Sequence, residues 1–415
     1  GKDEHHMLDF GKLTVEGRTD YLGCDKPLPR FGWQLLSDRH NQMQLAYRVI
    51  VASDPRMINL AKGDMWDSGK VESDMSQWVP YAGRPLQPDH DYYFRVKVWN
   101  KDGESFWSPV AKWSTGLMES AGVGAEWIGL DTIQPGDSQQ RHSRLRARYL
   151  RKEFTVDKEI ARATAHVCGL RFYELYINGH KVSDDILTPA PTGYDKSVIY
   201  NTYDVKSLLN RDNAVGVILG PGYFYAMAQN FETNVRSTFG FPKLWMILSL
   251  EYTDGSRQQI VSDTSWKIST DGPIIYSNIY DGEFYDSRKE MPGWSTIGYD
   301  DSAWQGARVV EAPGNLRGNL TAPMCIYGVE KPESIVRTRR GWLVDFGTNN
   351  SGRVGFRDKG ICGDTILITH AELILPGDTA IYVGNLRSAE CTDTYVSDGN
   401  RKRWSSKFTW QGFRY

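Results

Sequence analysis

Tyr92-Tyr93-Phe94-Arg95-Val96-Lys97-Val98-Trp99 alternates: Tyr92, Phe94, Val96 and Val98 share one face of an extended chain. Leu86-Gln87-Pro88-Asp89-His90-Asp91 stands before this run. Asn100-Lys101-Asp102-Gly103 follows it as a hairpin-turn signal, and Ser105-Phe106-Trp107-Ser108 comes next. A period of two, bounded by turn residues, predicts a half-buried strand in an antiparallel sheet.

The order L-x-P-x-x-x-Y, strand, turn, W-S resembles a fibronectin type III module, with Tyr92 as the tyrosine corner. Trp66, Trp78 and Trp107 then read as packing residues rather than ligand platforms. This first β-sandwich is expected over residues 1–117. A Gly-, Ala- and Ser-rich linker follows it.

A second block, residues 125–313, again reads as short strands: Ala163 to Leu170, Phe172 to Ile177, Ala214 to Leu219 and Leu244 to Tyr252. Asn178-Gly179, Asp254-Gly255 and Asp281-Gly282 supply the turns. Only Asp204 to Leu209 looks helical, with Asp204 as the N-cap. The pattern is that of a jelly-roll sandwich. In a third block, residues 315–415, Trp342 to Phe346, Thr365 to Thr369 and Asp393 to Val396 read as strands. Lys407 to Tyr415 looks like a strand in progress, so this last sandwich is expected to be incomplete. The expected fold class is all-β, a row of tandem β-sandwiches.

Composition narrows the function. The 415 residues carry 49 Lys plus Arg against 51 Asp plus Glu, a net charge of -2, without the basic excess of a nucleic-acid binder. No stretch approaches the apolar length of a membrane span. The 14 Trp, 22 Tyr, 15 Phe and 40 Gly suit tightly turned sandwiches and proteins that stack on sugar rings. Cys24, Cys168, Cys325, Cys362 and Cys391 are odd in number and show no CxxC, which disfavours zinc and predicts buried free thiols. The start at Gly1 rather than Met favours a processed or engineered start, and an extracytoplasmic location is favoured over a cytoplasmic one.

Several strings resemble the bacterial α-L-rhamnosidases of glycoside hydrolase family 78. In the second block they are Tyr173-Glu174-Leu175-Tyr176-Ile177-Asn178-Gly179, Leu219-Gly220-Pro221-Gly222-Tyr223, Gly282-Glu283-Phe284-Tyr285-Asp286-Ser287-Arg288 and Gly293-Trp294. In the third they are Asp345-Phe346-Gly347-Thr348-Asn349-Asn350-Ser351-Gly352 and Phe408-Thr409-Trp410-Gln411-Gly412-Phe413-Arg414-Tyr415. Pro29-Arg30-Phe31-Gly32-Trp33 fits the family's opening module. The resemblance implies a rhamnose-containing glycan or glycoside as substrate and an inverting hydrolysis. It also implies a partner domain, an (α/α)₆ barrel after the F-R-Y strand, that holds the catalytic carboxylates. No helical periodicity for that barrel occurs here, so the chain alone is expected to be inactive, with no catalytic residue of its own. A stand-alone carbohydrate-binding or adhesin-like protein is the alternative.

Inverting glycosidases need two carboxyl groups roughly 6.5–9.5 Å apart. Asp281, Glu283 and Asp286 are dense enough to consider, but Glu283, Asp286 and Arg288 read better as charge-assisted ties at a strand edge. His166 reads as a core histidine, while His370 and Glu372 would share a strand face. Some relatives use the second block as a calcium-dependent rhamnose-binding module. By that resemblance the sugar-binding candidates are Asp184, Asp185, Tyr194 and Asp195 in one loop and Tyr223 and Asn230 in another, with calcium as the one cofactor to consider.

Overall fold

In the strand Asp91–Asn100, Tyr92, Phe94, Val96 and Val98 are buried and their neighbours half-buried, as alternation dictates. The computed structural model describes residues 9–36, 43–118, 123–138, 144–170, 172–183, 197–220, 241–278, 282–319, 329–338, 341–370, 373–374, 381–382, 392–408, 411–413 and 415. Half of it is strand and 4% helix, an all-β fold. Packing divides the chain into two units. One comprises Gly1–Val123, Ile199–Thr202 and Leu316–Ala322; the other comprises Gly124–Val198, Tyr203–Asn315 and Pro323–Tyr415.

In the first unit Asp91–Asn100 pairs antiparallel with Gln44–Ala52, placing Val96 opposite Val49 and Phe94 opposite Val51. Ser105–Trp107 and Ala111–Ser114 extend the sheet. A second sheet, Asp9–Val15, Arg30–Leu36 and Val79–Pro80, contributes Phe31 and Trp33 to the shared core. The Phe31 ring lies 4.8 Å from Phe94 and 5.4 Å from Trp113. The Tyr92 hydroxyl accepts from Gln87 N at 2.8 Å, which is the tyrosine corner. Trp66 stacks on Phe31 and Trp107 lies beneath Arg95, both as packing residues. Trp78 departs from expectation: it is 49% exposed beside a two-residue edge strand, with the Arg30 guanidinium over its ring. Pro55–Asn59 forms a helix that period-two alternation does not reveal. Asp54 caps it, and Pro55 opens its first turn.

In the second unit two sheets face each other. One orders Arg308–Val309, Ile128–Gly129, Lys243–Tyr252 and Ile160–Gly169, with Arg257–Val261 on Lys243–Tyr252. The other orders His180–Lys181, Phe172–Ile177, Asp212–Gly220, Arg148–Thr155, Lys267–Ser269 and Gln305–Gly306. Val167, Leu175, Val215, Val217, Leu219, Met246 and Leu248 fill the space between them. Asn178 and Gly179, both at positive φ, make the two-residue hairpin expected of Asn-Gly. Asp204–Leu209 is too short to nucleate an α-helix. Asp204 ends a strand, and a 3₁₀ turn, Lys206–Leu208, follows.

A further four-stranded sheet orders Ile274–Asn278, Gly282–Asp286, Thr392–Val396 and Thr365–Thr369. Gly282–Asp286 runs parallel to Thr392–Val396, so the Tyr285 and Tyr395 rings stack at 6.0 Å. Gln411–Phe413, in the closing run, is paired with Asn350–Gly352. Cys24 and Cys168 are buried free thiols, but Cys362 is exposed because it occupies a turn. Cys325 and Cys391 lie outside the described residues.

Candidate functional site

The strand Asp212–Gly220 has two unlike faces. Val215, Val217 and Leu219 point into the sandwich, while Gly216, Ile218 and Gly220 lie on its outer side. Each glycine there leaves room for a ring. A Cβ on Gly216 would come within 2.5 Å of Trp294, and one on Gly220 within 2.5 Å of Phe408. The loop bearing Trp294 is held from below by Arg151, which is itself buried. Arg151 Nε donates to Trp294 O at 2.9 Å, Nη2 donates to Thr296 O at 2.8 Å, and Nη1 pairs with Asp301. Tyr149 and Tyr176 meet Trp294 edge to face at 5.0 and 5.4 Å.

These rings wall a cleft of about 370 Å³. Tyr285, Met291, Glu290 and Lys407 complete the lining that matters chemically. Glu290 is held on both oxygens: Tyr285 Oη donates to Oε1 at 2.7 Å, and Lys402 Nζ lies 2.7 Å from Oε2. Lys407 Nζ lies 3.1 Å from Glu174 Oε1, Lys181 Nζ lies 2.9 Å from Oε2, and the Tyr176 hydroxyl also donates to Oε1. Burial would raise the Glu174 carboxyl, but Lys407, Lys181 and that hydroxyl outweigh it and hold it at about 2.

Behind the cleft lies Glu283, with no exposed surface. Burial, then the nearby Asp393, push its carboxyl up to about 7. It accepts from Lys407 N, Phe408 N and the Ser277 hydroxyl, and its own N–H donates to Asp393 Oδ1. Asp286 binds Arg288 through two contacts of 2.9 Å. Both carboxylates are thus structural ties, and enclosure denies Glu283 the contact with a glycosidic oxygen that a catalytic acid needs. His166 is a buried core residue with Thr164 Oγ1 at 3.4 Å. His370 is buried 3.8 Å from Asp393.

The expected sugar and calcium ligands Asp184, Asp185, Tyr194, Asp195, Tyr223 and Asn230 lie outside the described residues, as do Asp281 and Glu372. The cleft residues Trp294, Glu290 and Lys407 carry no site role in the sequence reading. One signal was there: two glycines four residues apart on one face of an apolar strand, Gly216 and Gly220, and an aromatic residue in the turn Met291-Pro292-Gly293-Trp294. Among the described residues no helix is long and apolar enough to cross a membrane.

Comparison with known proteins places the chain. Residues 10–119 match the Rha78A-like, N-terminal immunoglobulin domain. Residues 158–327 match the alpha-L-rhamnosidase N-terminal domain, and residues 337–415 the bacterial alpha-L-rhamnosidase concanavalin-like domain. An alpha-L-rhamnosidase of Formosa agariphila is 33% identical over 98% of this chain and 46% of its own length. The solved alpha-L-rhamnosidase of Dictyoglumus thermophilum is 35% identical with a TM-score of 0.88, over 98% of this chain and 46% of that one. That of Streptomyces avermitilis, solved with L-rhamnose, is 26% identical with a TM-score of 0.87, over 98% and 55%. The chain spans about half the length of these relatives. It belongs to the bacterial α-L-rhamnosidase family, of which it carries the immunoglobulin-like, N-terminal rhamnosidase and concanavalin-like β-domains.

Proposed function

We propose that this chain is the non-catalytic β-portion of an inverting enzyme that removes terminal α-L-rhamnose from glycans or glycosides, with the reaction carried by a helical barrel domain. The supporting observation is the state of the buried carboxylates Glu283 and Glu174. Each is committed to protein donors, one to backbone N–H groups and the other to two lysines. An acid and base flanking a bond and a water must instead face an open site. A polymeric glycan substrate further fits action outside the cytoplasm.

The test is an assay of the 415-residue chain on an aryl α-L-rhamnoside. Release indistinguishable from the uncatalysed rate is expected. Turnover abolished by Glu283→Gln, Glu290→Gln or Glu174→Gln would overturn the reading.

A further inference from the structure

We infer that the cleft bounded by Tyr176, Tyr285, Met291 and Trp294, with Glu290 and Lys407 at its polar edge, is a binding site for a neutral monosaccharide or disaccharide. Its size is the first argument. A volume of about 370 Å³ lies at the small end of ligand pockets, enough for one or two sugar rings.

Its walls are the second. Trp294 and Tyr176 are half-buried, so ring surface is offered to a ligand while the packing against Tyr149 fixes its orientation. Rings held this way suit the C–H face of a pyranose, which is apolar on one side and hydroxylated at its rim.

The third is charge. Lys402 meets Glu290 and Asp398, while Lys407 and Lys181 meet Glu174; three carboxylates balance three lysines, so the cleft presents polar atoms without a net charge to attract an ion. Each Glu290 oxygen already takes one hydrogen bond and has a second lone pair for a sugar hydroxyl. These bonds fix the carboxylate before a ligand arrives, so little ordering remains to oppose binding. The loop with Trp294 is equally fixed by Arg151.

The choice of sugar rests on the function proposed above: a 6-deoxyhexose has a methyl group where a hexose has CH2OH, and Met291 can cover it. None of the cleft's lining residues comes from the stretch with Asp184, Asp185 and Asp195, and none of its chemistry requires calcium.

The experiment titrates the 415-residue chain with L-rhamnose and with D-glucose, read by saturation-transfer NMR and tryptophan fluorescence, with and without EDTA. Trp294→Ala and Glu290→Gln are compared after their melting curves confirm folding; Glu290→Gln keeps an acceptor for Tyr285 and covers a failure of Trp294→Ala to fold. Expected is millimolar L-rhamnose binding, insensitive to EDTA and weakened about tenfold by either substitution. Binding that neither variant alters would overturn the site, as would no saturable binding of either sugar; both leave the proposed function standing. Equal binding of both sugars, lost in both variants, upholds the cleft and counts against the rhamnose assignment.

Discussion

Glu283 accepts the backbone N–H of Lys407 at 3.0 Å across 124 residues of sequence, and that of Phe408 at 3.2 Å. From the other side Arg353 donates to the carbonyl of Lys407, and Glu174 takes the Lys407 ammonium. Donors, acceptor and side chain of one short segment are therefore each met by an ionisable side chain, of which Glu283 and Glu174 are buried. The segment seats Phe408 on Gly220, which couples this polar grip to the aromatic layer over the outer sheet.

Removing that grip has a definite cost. Glu283→Ala strips the acceptor from the buried N–H of Phe408 and the half-buried N–H of Lys407, and a buried one left unmet costs about 1–3 kcal/mol. Glu283→Gln retains one acceptor oxygen and should lose less. Urea melts of the two variants should rank alanine below glutamine below wild type; equal midpoints for all three would contradict the role given to Glu283.

The same carboxyl sets a pH dependence with a fixed sign. Its native pKa of about 7 exceeds its ordinary 4.5, so the folded chain holds the proton more tightly. Its contribution to stability is full below 4.5 and is lost as pH rises through about 7. Glu174 works the other way: held at about 2, it contributes fully above 4.5, and that contribution is lost as pH falls toward 2. Urea midpoints followed across pH should therefore lose their decline between 4.5 and 7 in Glu283→Gln. Their acid-side decline should lessen in Glu174→Gln. A wild-type minus Glu283→Gln difference that is constant across 4.5–7 would refute the assignment.

What was legible in the sequence was local. Alternation located Asp91–Asn100, and apolar runs bounded by turn residues located Phe172–Ile177 and Lys243–Tyr252 within a residue or two. Asn178-Gly179 named its own hairpin. The cleft was not legible, because Trp294 over Gly216, Lys407 on Glu174 and Tyr285 on Glu290 depend on which distant strands pair. Nothing in a period of two encodes that. The parallel pairing of Gly282–Asp286 with Thr392–Val396 belongs to the same class.

Gly216 offers a direct test of the aromatic layer. An added methyl would lie 2.5 Å from Trp294 and 2.8 Å from Ser295 Cβ, closer than packed atoms tolerate. Gly216→Ala should destabilise by about 1–3 kcal/mol and shift the tryptophan emission. Gly306→Ala, with nothing within 4 Å, is the control and should be near neutral. Parity of the two variants would mean that Trp294 does not sit on Gly216.

Arg148 and Asp137 form an ion pair whose side chains are both fully buried, with contacts of 3.0 and 2.9 Å. Asp137→Ala leaves the guanidinium without its counter-charge and should cost about 3–5 kcal/mol. Replacing both partners with apolar residues should cost markedly less, because no uncompensated charge remains. A double variant as unstable as Asp137→Ala, measured by thermal melting, would point to the Gln134 and Arg146 N–H groups that Asp137 also accepts rather than to the ion pair.

In the first unit, Asp25 gathers three stretches far apart in sequence. Its Oδ1 accepts from Met118 N and from the Tyr200 hydroxyl, both at 2.7 Å, and its Oδ2 from Gly318 N at 3.0 Å. The Tyr200 hydroxyl in turn accepts from Leu117 N at 2.8 Å. Burial, then the Asp25 charge, raise the Tyr200 hydroxyl well above its ordinary pKa, so it remains a donor throughout the working pH range. Tyr200→Phe removes one donor to Asp25 and the acceptor for Leu117 N; Asp25→Ala removes the acceptor for all three groups. Because the two residues share a bond, their effects should not add. A double-mutant cycle should return a coupling of about 0.5–3 kcal/mol, the double variant losing less than the sum of the single losses. Strict additivity would show that Tyr200 and Asp25 stabilise this unit independently, and that the hub does not act as one.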